Sequence, residues 1–419
     1  MDNFLVIVVG LLLFVVILGY FNEKITKFTY EIALMLFSVI IGFVCVVIGN
    51  FMGVEPVRKF VEGIGKINLD AFLMDGFLCF MLFAGSCHME LLHFKKHAKI
   101  VSLLAIGATL LGAVFYGLLF YGASLLLGLG ISLPVCLMFG SITAPTDPIA
   151  ATSILKKFNL PKQIGFIIEG ESLLNDGVGV ALFVCFSSMA TAEKAGGFFV
   201  VMFRELFGAV AVGLVVSLLC FQIFKRTKDT PRQIYTSLLA VSLSYVACEY
   251  FGFSGAIASV VCGVMFSAQR NLQANRDHVM ELKEFDTFWE ILDNLLNSVL
   301  YVLLGLGFLH ILQMSKVLIM SVLVVIFNLI GRFCSVGTAS LLAGKLPDGY
   351  DKLSFAKLLT WGGLRGGLSV ALAMSTQDML PTGIYHIVLG GTYAIVFFTT
   401  IVQGMTMKKV YQGIEAKLK

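Results

Sequence analysis

Charge is what this chain has least of. Only 13% of its 419 residues are Asp, Glu, Lys or Arg, about half the share of an ordinary soluble domain. Together with 58% hydrophobic residues and a mean hydropathy of +0.92, that shortage excludes a solvated globule. The nine cysteines never form a CxxC pair and all fall inside apolar runs, so they read as small packing residues and not as a disulfide or zinc framework. None of the six histidines pairs with another at zinc-ligand spacing beside a carboxylate, which removes an intramembrane metalloprotease. Basic residues are scattered and lack interleaved aromatics, so the net charge of +4 is no nucleic-acid footprint. No soluble regulatory domain is expected: the longest polar stretch is roughly 270–286, and the tail after Gly404 is short.

What is present is a series of long apolar runs. The first, Phe4–Phe21, carries no charge over a length that crosses a ~30 Å hydrocarbon core as a helix. It has neither a basic leader nor an A-x-A-like exit, and is read as a retained span. The segmentation gives 13 spans, near 4–21, 29–52, 69–89, 99–127, 133–155, 163–190, 201–224, 233–251, 253–269, 287–311, 317–344, 354–376 and 383–404. These runs are too long for barrel strands, so the expected fold is an all-α polytopic membrane bundle. Arg58, Lys59, Lys66, Lys194, Arg204 and Lys316 fall on one side, and Arg332 and Arg365 lie inside spans. All other basic residues fall in the odd-numbered loops and the tail, which puts those in the cytoplasm, the N-terminus outside and the C-terminus inside a plasma or inner membrane.

Two spans contain sequence that a continuous helix does not tolerate. The fifth carries Thr143-Ala-Pro-Thr-Asp-Pro148, and each proline removes an N–H and restricts the residue before it. The twelfth carries Trp361-Gly-Gly-Leu-Arg-Gly-Gly367, four glycines that each forfeit about 1 kcal/mol of helix propensity. Paired interruptions in two halves point to inverted repeats with a site between two crossing discontinuous helices. Each also holds one charge, and the expectation is that Asp147 offsets half-helix N-termini and Arg365 offsets half-helix C-termini.

The sixth span places Glu169, Glu171 and Asp176 within eight residues of apolar sequence. A charge at mid-membrane costs at least ~2.5–3.5 kcal/mol, so such residues are functional candidates by default. Ser172 and Asp176 are four apart and share a helical face; Glu171 and Asn175 form a second such pair about 100° away. Asp176 with Ser172 offers hard oxygen ligands to a monovalent cation, and a carboxylate that takes either a proton or a cation performs exchange by competition. Glu171 is equally readable as a buried partner of Arg332 or Arg365, and Arg332 as a structural partner, for example of Glu169. Asp75 is a lesser candidate facing a vestibule, Glu249 reads as interfacial, and Asp286 and Glu290 read as acids opening the tenth helix.

At this point the chain resembles the monovalent cation/proton antiporters, specifically the NhaP/NHE-type branch. Four stretches carry the resemblance: Thr146-Asp-Pro148, Glu169-Gly-Glu-Ser-Leu-Leu-Asn-Asp-Gly177, Phe288-Trp-Glu290 with Leu295-Leu-Asn-Ser298, and Trp361-Gly-Gly-Leu-Arg-Gly-Gly367. The resemblance implies a homodimer in which core helices about 99–190 and 317–404 move against scaffold and dimerisation helices about 4–89 and 201–311. It implies that Asp176 binds cation and proton, that Ser172 and the backbone of Thr146 coordinate the Na⁺ or K⁺, and that Asn175 orders the crossing helices. It further implies that Glu171 pairs with Arg365, that exchange is electroneutral, and that no cofactor and no enzymatic step take part. The runner-up reading on the same scaffold is a substrate/ion symporter, which would want a basic or amide-rich site. Two departures stand out: Phe83-Ala-Gly85 has Ala84 where relatives often carry glutamate, and Pro145 stands where a smaller residue is common. The first leaves the choice among Na⁺, K⁺ and Li⁺ open.

Overall fold

A computed structural model of the chain describes residues 4–51, 77–88, 91–147, 161–191, 198–227, 229–274, 279–307, 315–344, 346 and 349–418. Those residues are helical and turn-forming, with no strand among them. The helices are α1 (Phe4–Phe21), α2 (Tyr30–Phe51), α3 (Leu78–Cys87), α4 (Leu91–Ser102), α5 (Thr109–Leu126), α6 (Leu133–Ile142), α7 (Lys162–Thr191) and α8 (Phe198–Phe224). They continue as α9 (Thr230–Phe251), α10 (Gly255–Ala274), α11 (Val279–Gly307), α12 (Ser315–Ala343), α13 (Lys352–Trp361), α14 (Gly367–Met374), α15 (Thr382–Phe397) and α16 (Gly404–Leu418). Two π-helical turns, Leu103–Ala108 and Phe398–Gln403, join α4 to α5 and α15 to α16.

Eight helices among the described residues are long and apolar enough to cross a membrane, and four shorter apolar ones accompany them. Their outward faces carry large apolar side chains such as Val16, Val215, Leu219 and Leu342, while Ser141, Asn175, Ser244 and Thr392 are buried. This inside-out polarity follows from hydrocarbon as the outer solvent. The free thiols are mostly buried as expected, but Cys334 faces outward.

The count of 13 spans is not reached within the described residues. The third expected span is seen only from 77 onward, so Asp75 lies outside them, and whatever follows Asp147 in the fifth also lies outside. The twelfth expected span is two helices, α13 and α14, separated by Gly362–Gly366. Asp351 caps the first of them, accepting from the N–H groups of Leu353 and Ser354 at 3.2 Å each. α6 stops at Ile142 because Pro145 has no N–H to continue the ladder.

Packing places these breaks at the centre. α5 lies between α6 and α12, α7 packs on α6, and α15 packs on α12 and α14. On the other side α3 packs on α10 and α11, α8 on α9 and α10, and α11 on α2. α14 touches α6, α7 and α11, so the second break faces both groups of helices.

Candidate functional site

α7 brings four candidate residues into the interior at fixed helical spacing: Glu171, Ser172, Asn175 and Asp176 are all buried. Asn175 ties α7 to the first break. Its Oδ1 accepts from the Thr146 N–H at 3.1 Å, and its Nδ2 donates to Thr146 Oγ1 at 2.7 Å. One amide thereby satisfies a backbone donor that the interrupted α6 leaves without a helical partner. Thr146 Oγ1 also lies 2.8 Å from Ser172 Oγ. Ser172 is therefore engaged with Thr146 and sits behind it, whereas Thr146 and Asp176 reach the cavity described below.

The two breaks are joined by backbone and by charge. The Asp147 N–H donates to the Leu364 carbonyl at 2.8 Å. Arg365 reaches from the second break to the first, where its Nη1 donates to the carbonyls of Ala144 and Pro145, the latter at 2.8 Å. Its Nη2 donates to Asn328 Oδ1 on α12 at 3.2 Å. The π turn after α15 holds the arginine's own backbone: Thr399 Oγ1 accepts from the Arg365 N–H at 3.1 Å, and Thr400 Oγ1 donates to its carbonyl at 3.3 Å. Asp147 accepts a hydrogen bond from Tyr301 of α11 at Oδ2 and lies against Gly366, the residue preceding α14. A Cβ on Gly366 would stand 2.9 Å from both Cβ and Cγ of Asp147, so no side chain fits there.

Glu171 pairs with Arg332 and not with Arg365. The fork is bidentate, Nη1 to Oε1 at 2.6 Å and Nη2 to Oε2 at 2.9 Å, and both side chains are almost wholly buried. Arg365 is committed to the carbonyls freed by the first break, and Arg332 passes Gly363, where a Cβ would stand 2.8 Å from its Nε. A pairing of Arg332 with Glu169 is likewise corrected: Glu169 is exposed and lines the cavity, about 200° around α7 from Glu171.

A cavity of about 380 Å³ opens onto Asp176. Five carboxylates line it (Asp147, Glu169, Asp176, Glu290 and Asp293), with no Lys or Arg among the described liners and a single His88. Among the described residues no hydrogen bond or ion pair engages the Asp176 carboxylate, in contrast to Asp147 and Glu171. A buried carboxylate at the end of an acidic cavity has the chemistry to take either a proton or a cation.

Ala84 and Gly85 line the same cavity from α3, so the position that lacks a glutamate does face the site. Glu290 and Asp286 do not open their helix. α11 starts at Val279, which puts both two to three turns inside it, and Glu290 belongs to the cavity. Tyr301, Asn328, Thr399 and Thr400 escaped sequence reasoning, because uncharged polar residues in apolar helices carry no signal of which break they serve. Asp293 and Asn297 did carry a signal, a polar pair four apart on an apolar helix.

Residues 67–412 match the family model described as sodium/hydrogen exchanger, transmembrane. The Na(+)/H(+) antiporter NhaP of Pseudomonas aeruginosa is 29% identical over 84% of this chain and 84% of its own length. The Na(+)/H(+) antiporter NhaH of Halobacillus dabanensis is 32% identical over 68% of this chain and 70% of its own. Among solved structures, the sodium proton antiporter MjNhaP1 of Methanocaldococcus jannaschii at pH 8 superposes with a TM-score of 0.76 at 22% identity, covering 99% of both chains.

Proposed function

The chain belongs to the sodium/hydrogen exchanger family, and from that premise we propose that it is a secondary antiporter exchanging Na⁺, or K⁺ or Li⁺, for H⁺. The activity is multi-pass membrane transport and not catalysis. The observation that carries the reading is the Asp176 carboxylate, buried, without a hydrogen-bond or ion-pair partner among the described residues and facing an acidic cavity. In its charged form it takes a dehydrated cation together with oxygens of Thr146; Ser172 joins when its hydroxyl turns from Thr146. In its protonated form it needs no counter-ion. One carboxylate that swaps one M⁺ for one H⁺ gives electroneutral exchange.

Asn175 sets the distance between α7 and the first break, while Asp147 and Arg365 neutralise the break ends and Glu171–Arg332 keeps α7 seated on α12. Glu169 belongs to the entry route. Helices of about 99–190 and 317–404 move as the ion-carrying unit against those of about 4–89 and 201–311, which also form a homodimer interface. His88, Glu169 and Glu290 border the cavity on the side of α3, α7 and α11 that the basic-residue bias assigns to the cytoplasm, so the cavity faces inward. An organic-anion symporter is disfavoured because the liners would repel its substrate.

Proteoliposomes with an internal pH dye and an imposed ΔpH test the proposal. Adding Na⁺, K⁺ or Li⁺ should move protons, Asp176→Asn should abolish that movement while the protein elutes as wild type, and a valinomycin clamp should leave the rate of Na⁺-driven proton movement unchanged. Wild-type exchange by Asp176→Asn would move the site elsewhere.

A further inference from the structure

The cavity that reaches Asp176 stops short of the far side of the bundle, and α7 carries what stops it. Glu169, Leu173 and Asp176 line the cavity from one helical face. The same spacing carried one and two turns further brings that face to Val180 and Phe183, each only 6% exposed and outside the cavity lining. Both belong to one apolar cluster with Leu78 and Leu82 of α3, Ala256 and Val260 of α10, and Leu372 of α14. Neighbours press α7 closely on either side of this face. A Cβ on Gly177 would stand 3.0 Å from Ile257 Cγ1 of α10, and one on Gly179 would overlap the Pro145 ring at the first break.

The chemistry changes abruptly along this line. Toward Glu169 the cavity is lined by five carboxylates, whereas residues 177–190 of α7 carry no charge. Neither do α3, α14 or residues 255–268 of α10. The serine hydroxyls of the stretch are bonded within their own helices: Ser187 and Ser188 donate to the Val184 carbonyl at 3.0 and 2.8 Å, and Ser259 to that of Gly255 at 2.9 Å. An ion entering a dry apolar constriction loses its water and meets no replacement ligand, so the constriction blocks it without any charged lock. The basic-residue bias puts residues 177–190 on the outer side of Asp176.

We propose that Val180 and Phe183 are the outer gate of the Asp176 cavity, a dry plug that α7 holds against α3 and α10 and that parts from them when Asp176 is exposed to the outer side. The proposal rests on the exchange reading, which supplies the need for a second opening. The barrier itself is tested without exchange.

Proteoliposomes holding the Asp176→Asn chain, with valinomycin and equal K⁺ on both sides, should keep an imposed ΔpH, because exchange is disabled and the membrane is closed to protons. Adding Val180→Ser together with Phe183→Ala should make the gradient collapse severalfold faster, since the plug then admits water. Each substitution added alone should give a smaller leak, and these singles carry the test where size exclusion shows the pair aggregated. Phe120→Ala in the same background truncates a member of the same cluster that packs on Phe139 between α5 and α6, away from the route, and should leave the gradient intact. Gradients held equally well by the pair and by both singles overturn the gate, and so does an equal leak from Phe120→Ala. The exchange reading fails by a different result: an Asp176→Asn chain that moves protons with K⁺ as fast as wild type sinks the assignment of Asp176, and the added leak is still measured against that rate.

Discussion

Replacing Arg332 with alanine strands the Glu171 carboxylate in the interior of the bundle. The pair is bidentate at 2.6 and 2.9 Å, with side-chain exposures of 4% for Arg332 and 1% for Glu171. Removing one partner of such a pair costs about 3–5 kcal/mol, because the survivor keeps its desolvation penalty and loses its attraction. Removing both for apolar groups of similar volume is often close to neutral. Arg332→Met and Glu171→Met should therefore each destabilise by about 3–5 kcal/mol, and the double variant by less than either. Glu171 also accepts a longer bond from Asn175 Nδ2 at 3.4 Å, so its single variant should additionally loosen the first break and slow exchange. Denaturant titration in detergent reads the cycle through tryptophan fluorescence, since Trp289 is buried against α3 and Trp361 ends α13 beside the second break. Single losses that add to the double loss within about 0.5 kcal/mol would mean no coupling and refute the pair as a structural unit.

Three further outcomes follow from the site. Gly366→Ala places a methyl 2.9 Å from Asp147 Cβ and Cγ and should cost about 1–3 kcal/mol with a matching fall in exchange rate; unchanged thermal stability and rate would mean Asp147 is not seated there. Tyr301→Phe removes a charge-assisted bond to Asp147 and should destabilise by about 1.5–3 kcal/mol, measured by the same titration. If Asp176 alone binds proton and cation, apparent KM for the cation should rise at most about tenfold per pH unit as pH falls, with maximal rate unchanged; a steeper, hundredfold slope measured in proteoliposomes would require a second carboxylate to titrate with it.

The parts of the site that depend on helical period were legible in the sequence. Glu171 with Asn175 and Ser172 with Asp176 share faces because α7 is continuous; Pro145 marked the end of α6, and the Gly362–Gly366 run marked the gap between α13 and α14. Which arginine meets Glu171 was not legible. That choice depends on how α12 is rotated and on which way the second break turns, and both are set by packing and not by spacing. Asp293 and Asn297 were legible as a pair, yet an expected helix start near 287 instead of Val279 made the nearby acids look like dipole partners. Helix starts are weakly encoded in membrane chains because polar residues at the interface tolerate both states.

The two breaks compensate each other crosswise. Arg365 belongs to the second break and spends its Nη1 on carbonyls of the first, while Asp147 belongs to the first and lies against the N-terminal end of α14 at the second. Had each charge served its own break, the two interruptions could slide independently, and a site shared between them would change shape whenever either helix shifted. Exchange of charges, together with the Asp147–Leu364 backbone bond, makes them one body. Asn175 fastens α7 to that body through Thr146, so Asp176 travels with the breaks. Among the described residues α11 meets this unit at the Tyr301–Asp147 hydrogen bond and in its packing on α14, where Leu300 lies against Gly367. In the proposed exchange cycle, a motion that alternates access to Asp176 would break or slide that contact, and the α11–α14 boundary would then separate the moving from the fixed helices.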